Sequence, residues 1–379
     1  MAAYVFWFSL SVLTYVYFGY PIMIRALAYV ARRRIHRDEG YCRPVTVVIT
    51  AYNEEASIAS KIENIRQLDY PSELVEIIVA SDGSTDSTDG IVLSCDYARV
   101  RLLRVEGRVG KTACQNAAVS QASGEVVVFT DATTRVDRAA LRALIENFAD
   151  PVVGCVAGLL LYEANGANMT GAGGVSYWNY EVKVRKAESD MSTLIGVSGC
   201  LYAVRRSAYR PISPKLISDF VIAMRMREQG LRTVLEPRAL CFEDTLARSK
   251  LELQMRVRVA VRSISALVAE RRFLNILRDP VFAWQLWSHK MLRYVSPYWM
   301  VALFVSSVAL MSGSFYRIAL IAQLSLMAAA LAGFVLQLKA NKLGVLSKPY
   351  YFLLTNVASF IAMLRYLAGH RIVTWKPIR

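Results

Sequence analysis

Three polar clusters each follow a short apolar run: AYNEE (Ala51 to Glu55), DGSTD (Asp82 to Asp86) and DATT (Asp131 to Thr134). A further carboxylate, Asp219, stands in ISDF. Carboxylates so placed can take a proton from a hydroxyl or hold a divalent cation against an anionic ligand. Acid-base work must come from them, because the three histidines, His36, His289 and His370, lie outside the stretch that carries the clusters. A Ser-His-Asp or Cys-His hydrolase is therefore not expected. The six cysteines are scattered singly, without C-x-x-C or zinc spacing, and read as reduced core residues. EGRVGKT narrowly misses the phosphate loop G-x-x-x-x-G-K-[ST], with Val105 where the first glycine belongs. Asn53 or Asp82 could each simply cap a helix. That account serves for one cluster and strains at three together on adjacent strand ends.

The elements that must hold these residues alternate. Val45 to Thr50, Val75 to Ser81, Val100 to Val105 and Glu125 to Thr130 are β-branched, nearly continuous apolar runs with helical patterns between them. Such runs fit a parallel sheet covered on both faces, an α/β domain. Open sheets of this kind bind ligands beyond the carboxyl ends of their strands, where the clusters sit. GANMTGAGG (Gly166 to Gly174) reads as a flexible connection.

The flanks are membrane-like. The chain of 379 residues is 55% hydrophobic, and its charged residues, 20% of the total, cluster in the middle. Ala2 to Ile24 has no charge and is long enough to cross a hydrocarbon core of ~30 Å. Arg25 and the run Arg32 to Arg37 follow it, which places the amino terminus outside, the middle of the chain in the cytosol, and no cleaved signal peptide at the start. Tyr294 to Tyr316 and Ile318 to Leu338 read as a spanning hairpin. Pro349 to Leu364 is shorter, and a crossing there would export Arg371, Lys376 and Arg379, so it reads as a span or a re-entrant segment. The expected segments are 1–31 (membrane helix), 42–246 (catalytic domain), 247–293 (amphipathic, interfacial), 294–338 (hairpin) and 349–369. The net charge of +15 suits anionic lipid or a nucleotide diphosphate, and nucleic acid is not expected as a partner.

TAYNEE, SDGSTD, GKTACQNAA, FTDATT and SDF occur in the order found in inverting family-2 glycosyltransferases. With YWNYE, SGCLYAVRR, SHKMLRYVSP and the terminal TWKP, the chain resembles the membrane-embedded branch that includes hyaluronan, chitooligosaccharide and cellulose synthases and bacterial exopolysaccharide glycosyltransferases. The resemblance implies a cytosolic GT-A (Rossmann-like) domain with a mainly parallel sheet, flanked by transmembrane helices in a bacterial-type inner membrane. It implies Asp219 as general base and Asp131 as the metal-holding residue for Mg²⁺ or Mn²⁺. The donor, a UDP-sugar, would meet Asp82 through its base, Tyr52 by stacking, Ala51 and Glu54 in the same pocket, and Lys111 and Arg258 at the diphosphate. Ser198, Gly199 and Trp178 would meet a lipid-linked or saccharide acceptor, with membrane lipids and other polysaccharide-synthesis proteins as partners.

Two departures matter. Thr133 replaces the second acid of the family's DxD motif, and Met255 and Val259 replace the Gln and Trp of QxxRW if Arg258 is its arginine. Competing classes are a nucleotide-driven NTPase or transporter built on GKT, and a catalytically silent membrane scaffold. A third reading of the Arg256, Arg258 and Arg262 helix is an amphipathic segment with its arginines among lipid headgroups.

Overall fold

A computed structural model describes residues 1–163, 169–244, 249–338 and 344–371, so TWKP lies outside the described residues. Two compact units form. One contains Arg32–Glu163 and Glu188–Glu243, the other Met1–Ala31, Ala164–Ala187 and Asp244–Arg371.

The first unit is built on eight strands: β1 (Val45–Ala51), β2 (Val75–Ser81), β3 (Val100–Arg104), β4 (Val126–Asp131), β5 (Arg135–Val136), β6 (Val153–Glu163), β7 (Leu201–Arg205) and β8 (Arg232–Asp244). Their order is β3-β2-β1-β4-β7-β6-β8-β5. The four strands read from the sequence are parallel neighbours, Val45 opposite Val75 and Val126. All seven residues of β1 are buried, as two-sided coverage requires. The later half departs from the expected parallel pattern: β7 runs antiparallel to both β4 and β6, and β5 to β8. The chain lays down β1, β2 and β3 outward, then returns to the far side of β1 with β4. That reversal opens a crevice at the carboxyl ends of β1 and β4. Phe129 on β4 stacks on Tyr202 of β7, ring centroids 4.8 Å apart, and is fully buried; burial of such a ring is worth about 1.5–3 kcal/mol.

The second unit is helical. Ala2–Val30 is continuous through a π turn at Tyr15–Gly19, and a second π turn, Trp287–Met291, joins Pro280–Leu286 to Leu292–Ala309. The two π turns face each other, with Tyr15 Oη and Ser288 Oγ 2.7 Å apart. Phe8 meets Trp299, so the first helix and Leu292–Ala309 run antiparallel. Ser314–Leu338 and Gly344–Leu367 follow, with Phe334 packed near Tyr350.

Among the described residues three helices are long and apolar enough to cross a membrane: Ala2–Val30, Ser314–Leu336 and Gly344–Leu367. The last is longer than its uncharged run because it begins before Lys348 and carries Pro349 within it. Leu292–Ala309, read as the first arm of a hairpin, has 18 residues with Arg293 in its first turn and is not among the three. Exposed Phe18, Ile318 and Leu331 are the apolar surface that lipid would cover.

Two expectations change here. Residues 169–174, read as a flexible connection, begin the helix Met169–Met191. Its glycines permit close approach, since a Cβ on Gly173 would lie 2.6 Å from Tyr351 Cβ; Gly166 to Asn168 lie outside the described residues. On Ser249–Ala269, Arg262 is buried and Arg256 donates to Glu252 Oε1 (2.9 Å) and to Tyr351 Oη. Two of the three arginines are therefore engaged or buried within the helical unit.

Candidate functional site

The loops after β1 and β2 hold each other. Asn53 adopts the left-handed region at φ 52°, and its Oδ1 accepts from Thr85 N at 2.9 Å. Glu54 N donates to Thr88 Oγ1 (2.8 Å), and Ser87 N donates to Glu55 Oε2 (3.0 Å). The polar residues of AYNEE and DGSTD thus join one loop to the next, and the simple helix-cap account does not describe them.

Asp82 is fully buried at the end of β2, its N–H donating to the Ala51 carbonyl at 2.9 Å. Its Oδ1 accepts from Val109 N (2.8 Å) and Gly110 N (3.1 Å). Those amides belong to the stretch that nearly matched a phosphate loop, and here they serve a carboxylate of the same chain. Gly83, at φ +67°, lets the two segments touch, because a Cβ there would stand 2.8 Å from the Gly107 carbonyl oxygen. Arg108 lies over the Tyr52 ring at 3.3 Å from its centroid and reaches Asp82 Oδ2 at 3.6 Å. Arg108 and the Ala51 carbonyl thus tie Ala51, Tyr52 and Asp82 together, with Glu54 on the same loop.

A second group gathers at the end of β4. Lys111, the first residue of the helix Lys111–Gln121, donates to Asp131 Oδ1 and to the Gly199 carbonyl (3.3 Å). Gly199 lies against both side chains: a Cβ there would stand 2.9 Å from Asp219 Oδ2 and 3.1 Å from Lys111 Nζ, so either would have to shift. Asp219 occupies the first turn of Ser218–Glu228, where a helix terminus favours negative charge. Burial works to lower the Lys111 pKa, but Asp131 and Asp219 raise it, so the residue stays cationic. Ser198 is adjacent, its Oγ accepting weakly from Cys200 N at 3.5 Å. The structure brings Lys111, Asp131, Ser198, Gly199 and Asp219 together from four separate stretches of sequence.

Glu243, near the end of β8, was not among the residues singled out by sequence. Its carboxylate, that of Asp131 and the Cys200 thiol lie within 4.8 Å of one another. Thr134 Oγ1 donates to Glu243 Oε1 at 2.7 Å. Burial, then the nearby Asp131, push the Glu243 pKa up, against the opposing effects of the Thr134 hydrogen bond and of Lys111. Burial also holds the Cys200 thiol well above its usual range, and a soft sulfur donor suits Mg²⁺ or Mn²⁺ poorly in any case. The donor set that fits a hard divalent cation is therefore Asp131 with Glu243, the second carboxylate that position 133 lacks. Sequence offered only a faint signal, the acids closing the run CFED.

Beneath this group, Lys61 is buried and donates to Thr130 Oγ1 (2.9 Å) and to the Thr134 carbonyl. Burial lowers its pKa to about 7, partly opposed by Asp131. Trp178 and Arg258 belong to the helical unit, where Arg185 lies 5.7 Å from the Trp178 ring.

Residues 46–212 match the model of the family described as Glycosyl transferase family 2. The chain is 27% identical over 207 residues to a poly-beta-1,6-N-acetyl-D-glucosamine synthase of Staphylococcus aureus (strain COL), covering 52% of this chain and 49% of that protein. The namesake synthase of Staphylococcus epidermidis is 24% identical over 206 residues. The chain spans about half the length of the curated relatives it matches. Its fold is similar to that of a mannosyltransferase from Pyrobaculum calidifontis, solved with GDP-Man and Mn²⁺, at TM-score 0.75 and 24% identity, over 97% of this chain and 100% of that one.

Proposed function

Since the chain carries a Glycosyl transferase family 2 domain on a GT-A fold with membrane-type helices, we propose that it is a membrane hexosyltransferase. In this reading it moves a sugar from a nucleotide donor, a UDP-sugar, to a lipid-linked or saccharide acceptor with inversion, in exopolysaccharide or cell-surface glycan synthesis. The observation that carries the reading is the meeting of Asp219, Lys111 and Asp131 around Gly199. Few arrangements put a base, a cation and a metal-type carboxylate on one crevice.

Asp219 takes the proton of an acceptor hydroxyl as that oxygen attacks the anomeric carbon from the face opposite the diphosphate. The new glycosidic C–O bond forms, the bond to the diphosphate oxygen breaks, and the nucleoside diphosphate leaves with its electron pair. A divalent cation, Mg²⁺ or Mn²⁺, held by Asp131 and Glu243 would supply charge neutralisation for that leaving group. Lys111, displaced from Asp131, adds a second positive charge there. Tyr52 and Asp82 receive the base once Arg108 swings off the ring it covers. Ser198 and Gly199 at the acceptor complete the proposed set within the α/β unit, and the roles for Arg258 and Trp178 rest on the family resemblance alone. In the same reading the α/β unit faces the cytosol at a bacterial-type inner membrane, on the side where nucleotide sugars are made.

The test is release of nucleoside diphosphate by membranes carrying the full chain, with a donor panel that includes UDP-N-acetylglucosamine and GDP-mannose because similar proteins are named for, or solved with, those sugars. One donor should be turned over, and Asp219→Asn should cost about 10²-fold or more while donor binding persists. Turnover of the Asn variant near the wild-type rate removes Asp219 from the base role, and hydrolysis of ATP without sugar restores the NTPase reading.

A further inference from the structure

Within the helical unit two cavities adjoin. One, of about 550 Å³, is walled by Glu181 of Met169–Met191, by His289, Lys290 and Arg293, and by Lys348. The other, of about 460 Å³, is lined by side chains such as Leu13, Met300, Phe304, Met327 and Leu353. Tyr17, Leu326, Phe352 and Asn356 belong to the walls of both, so the two spaces lie on either side of one shared wall. One holds nearly all the charge and the other almost none.

The charged cavity has an excess of cations. Lys290, Arg293 and Lys348 face a single carboxylate, Glu181. That carboxylate is already engaged, at 2.6 Å from His289 Nε2 and 2.6 Å from Arg293 Nη1. Arg293 Nη2 donates to Tyr180 Oη (3.3 Å), while its buried Nε has no hydrogen-bond partner among the described residues. A buried guanidinium donor left open is costly unless an anion meets it. Both π turns contribute to this wall, Tyr17 and Phe18 from one, His289 and Lys290 from the other. π turns interrupt the regular hydrogen-bond ladder at a cost and recur where a helix shapes a site.

We propose that these paired cavities bind one amphiphile, its phosphate headgroup against Lys290, Arg293 and Lys348 and its hydrocarbon chain in the adjoining apolar space. The chemistry is shared by an anionic bilayer phospholipid and by a phosphate-linked prenyl lipid. The observations come from the helical unit alone, and only the carrier-lipid outcome rests on the proposed transfer reading.

The test uses the full chain purified in a neutral detergent, with native mass spectrometry and thermal melting as readouts. The probes are a prenyl monophosphate, dioleoyl phosphatidylglycerol and dioleoylglycerol. One or both phosphate lipids should remain bound and raise the melting midpoint, and dioleoylglycerol should do neither. Stronger retention of the prenyl phosphate assigns a carrier lipid, stronger retention of phosphatidylglycerol a bilayer lipid, and equal retention recognition of the phosphate itself. Lys290→Gln with Lys348→Gln should weaken phosphate-lipid binding by about tenfold or more. Met300→Trp, which fills the apolar space and leaves every charge, should weaken long-chain lipids more than a short-chain phosphate of the same head. Binding of dioleoylglycerol equal to that of the phosphate lipids, or unchanged binding in both variants, overturns the proposal.

Discussion

At Asp131 the chain lacks the second acid that sequence leads one to expect two residues later, and the fold supplies Glu243 from a strand laid down more than a hundred residues on. Glu243→Gln keeps the hydrogen bond from Thr134 while removing the charge. It should raise the Mn²⁺ concentration for half-maximal turnover by about tenfold, since a carboxylate contact to a divalent ion dominates such a shell. A Mn²⁺ titration of nucleoside diphosphate release reads this, and an unmoved curve removes Glu243 from the shell. Lys61 offers a pH test. Burial holds its folded pKa at about 7 against an ordinary 10.5, so between those values the unfolded chain binds the extra proton and folding gains as pH rises. In metal-free protein the melting midpoint of wild type should climb between pH 7 and 10 relative to Lys61→Met, and below pH 7 the difference should flatten. Parallel curves over the whole range would show that Lys61 is not buried as a near-neutral amine. Neither residue was legible beforehand. A lysine in IASKIENIR looks like any helix-surface lysine, and nothing local reveals that the helix Ile58–Arg66 turns it under β4.

Among elements, what the sequence made legible were the strands buried on both faces. β1, β2 and β4 are continuous apolar runs that end at polar clusters, so their placement and the residues at their ends could be read together. β8 escaped because Glu236, Pro237 and Arg238 interrupt its pattern. Those charges are paired with one another and with a neighbouring acid, Arg238 Nε donating to Glu236 Oε1 at 3.0 Å and its Nη2 to Glu146 Oε2 at 2.7 Å. The early resemblance to a family supplied roles for Asp219 and Lys111 that spacing alone does not assign. Between β2 and the helix Lys111–Gln121, the contact of Gly83 with Gly107 sets where Asp82 and Arg108 sit. Both glycines have positive φ, but only a Cβ on Gly83 meets backbone, while one on Gly107 meets nothing within 4 Å. Gly83→Ala should therefore cost the backbone term of about 1–2 kcal/mol and also push the loop away. Donor affinity should fall several-fold in Gly83→Ala and much less in Gly107→Ala, with both melting midpoints lowered. Equal losses of donor affinity would mean that backbone strain alone, without the collision, explains the effect.

At the scale of the whole molecule the charge pattern leads one to expect the α/β unit inside and residue 1 outside, and a single cysteine tests it. Cys241 is buried and useless as a probe, whereas Cys95 is partly exposed. An impermeant thiol reagent should label Cys95 only after cells are opened, in a chain whose other cysteines are replaced by serine or alanine. Labelling in intact cells would reverse the orientation and with it the supply of nucleotide sugar. The antiparallel pairing of the first helix with Pro280–Ala309 sets a timetable as well. Tyr15 and Ser288 are 273 positions apart, so at roughly 5–20 residues per second of synthesis the first helix waits about 14–55 s for its partner. During that interval the hydroxyls of Tyr15 and Tyr17 have neither Ser288 nor Asn356 to satisfy them, and the newborn helix depends on lipid, water at the interface or the insertion machinery. Destabilising changes at this seam should thus appear first as poor membrane accumulation during synthesis, before any loss of activity per folded molecule.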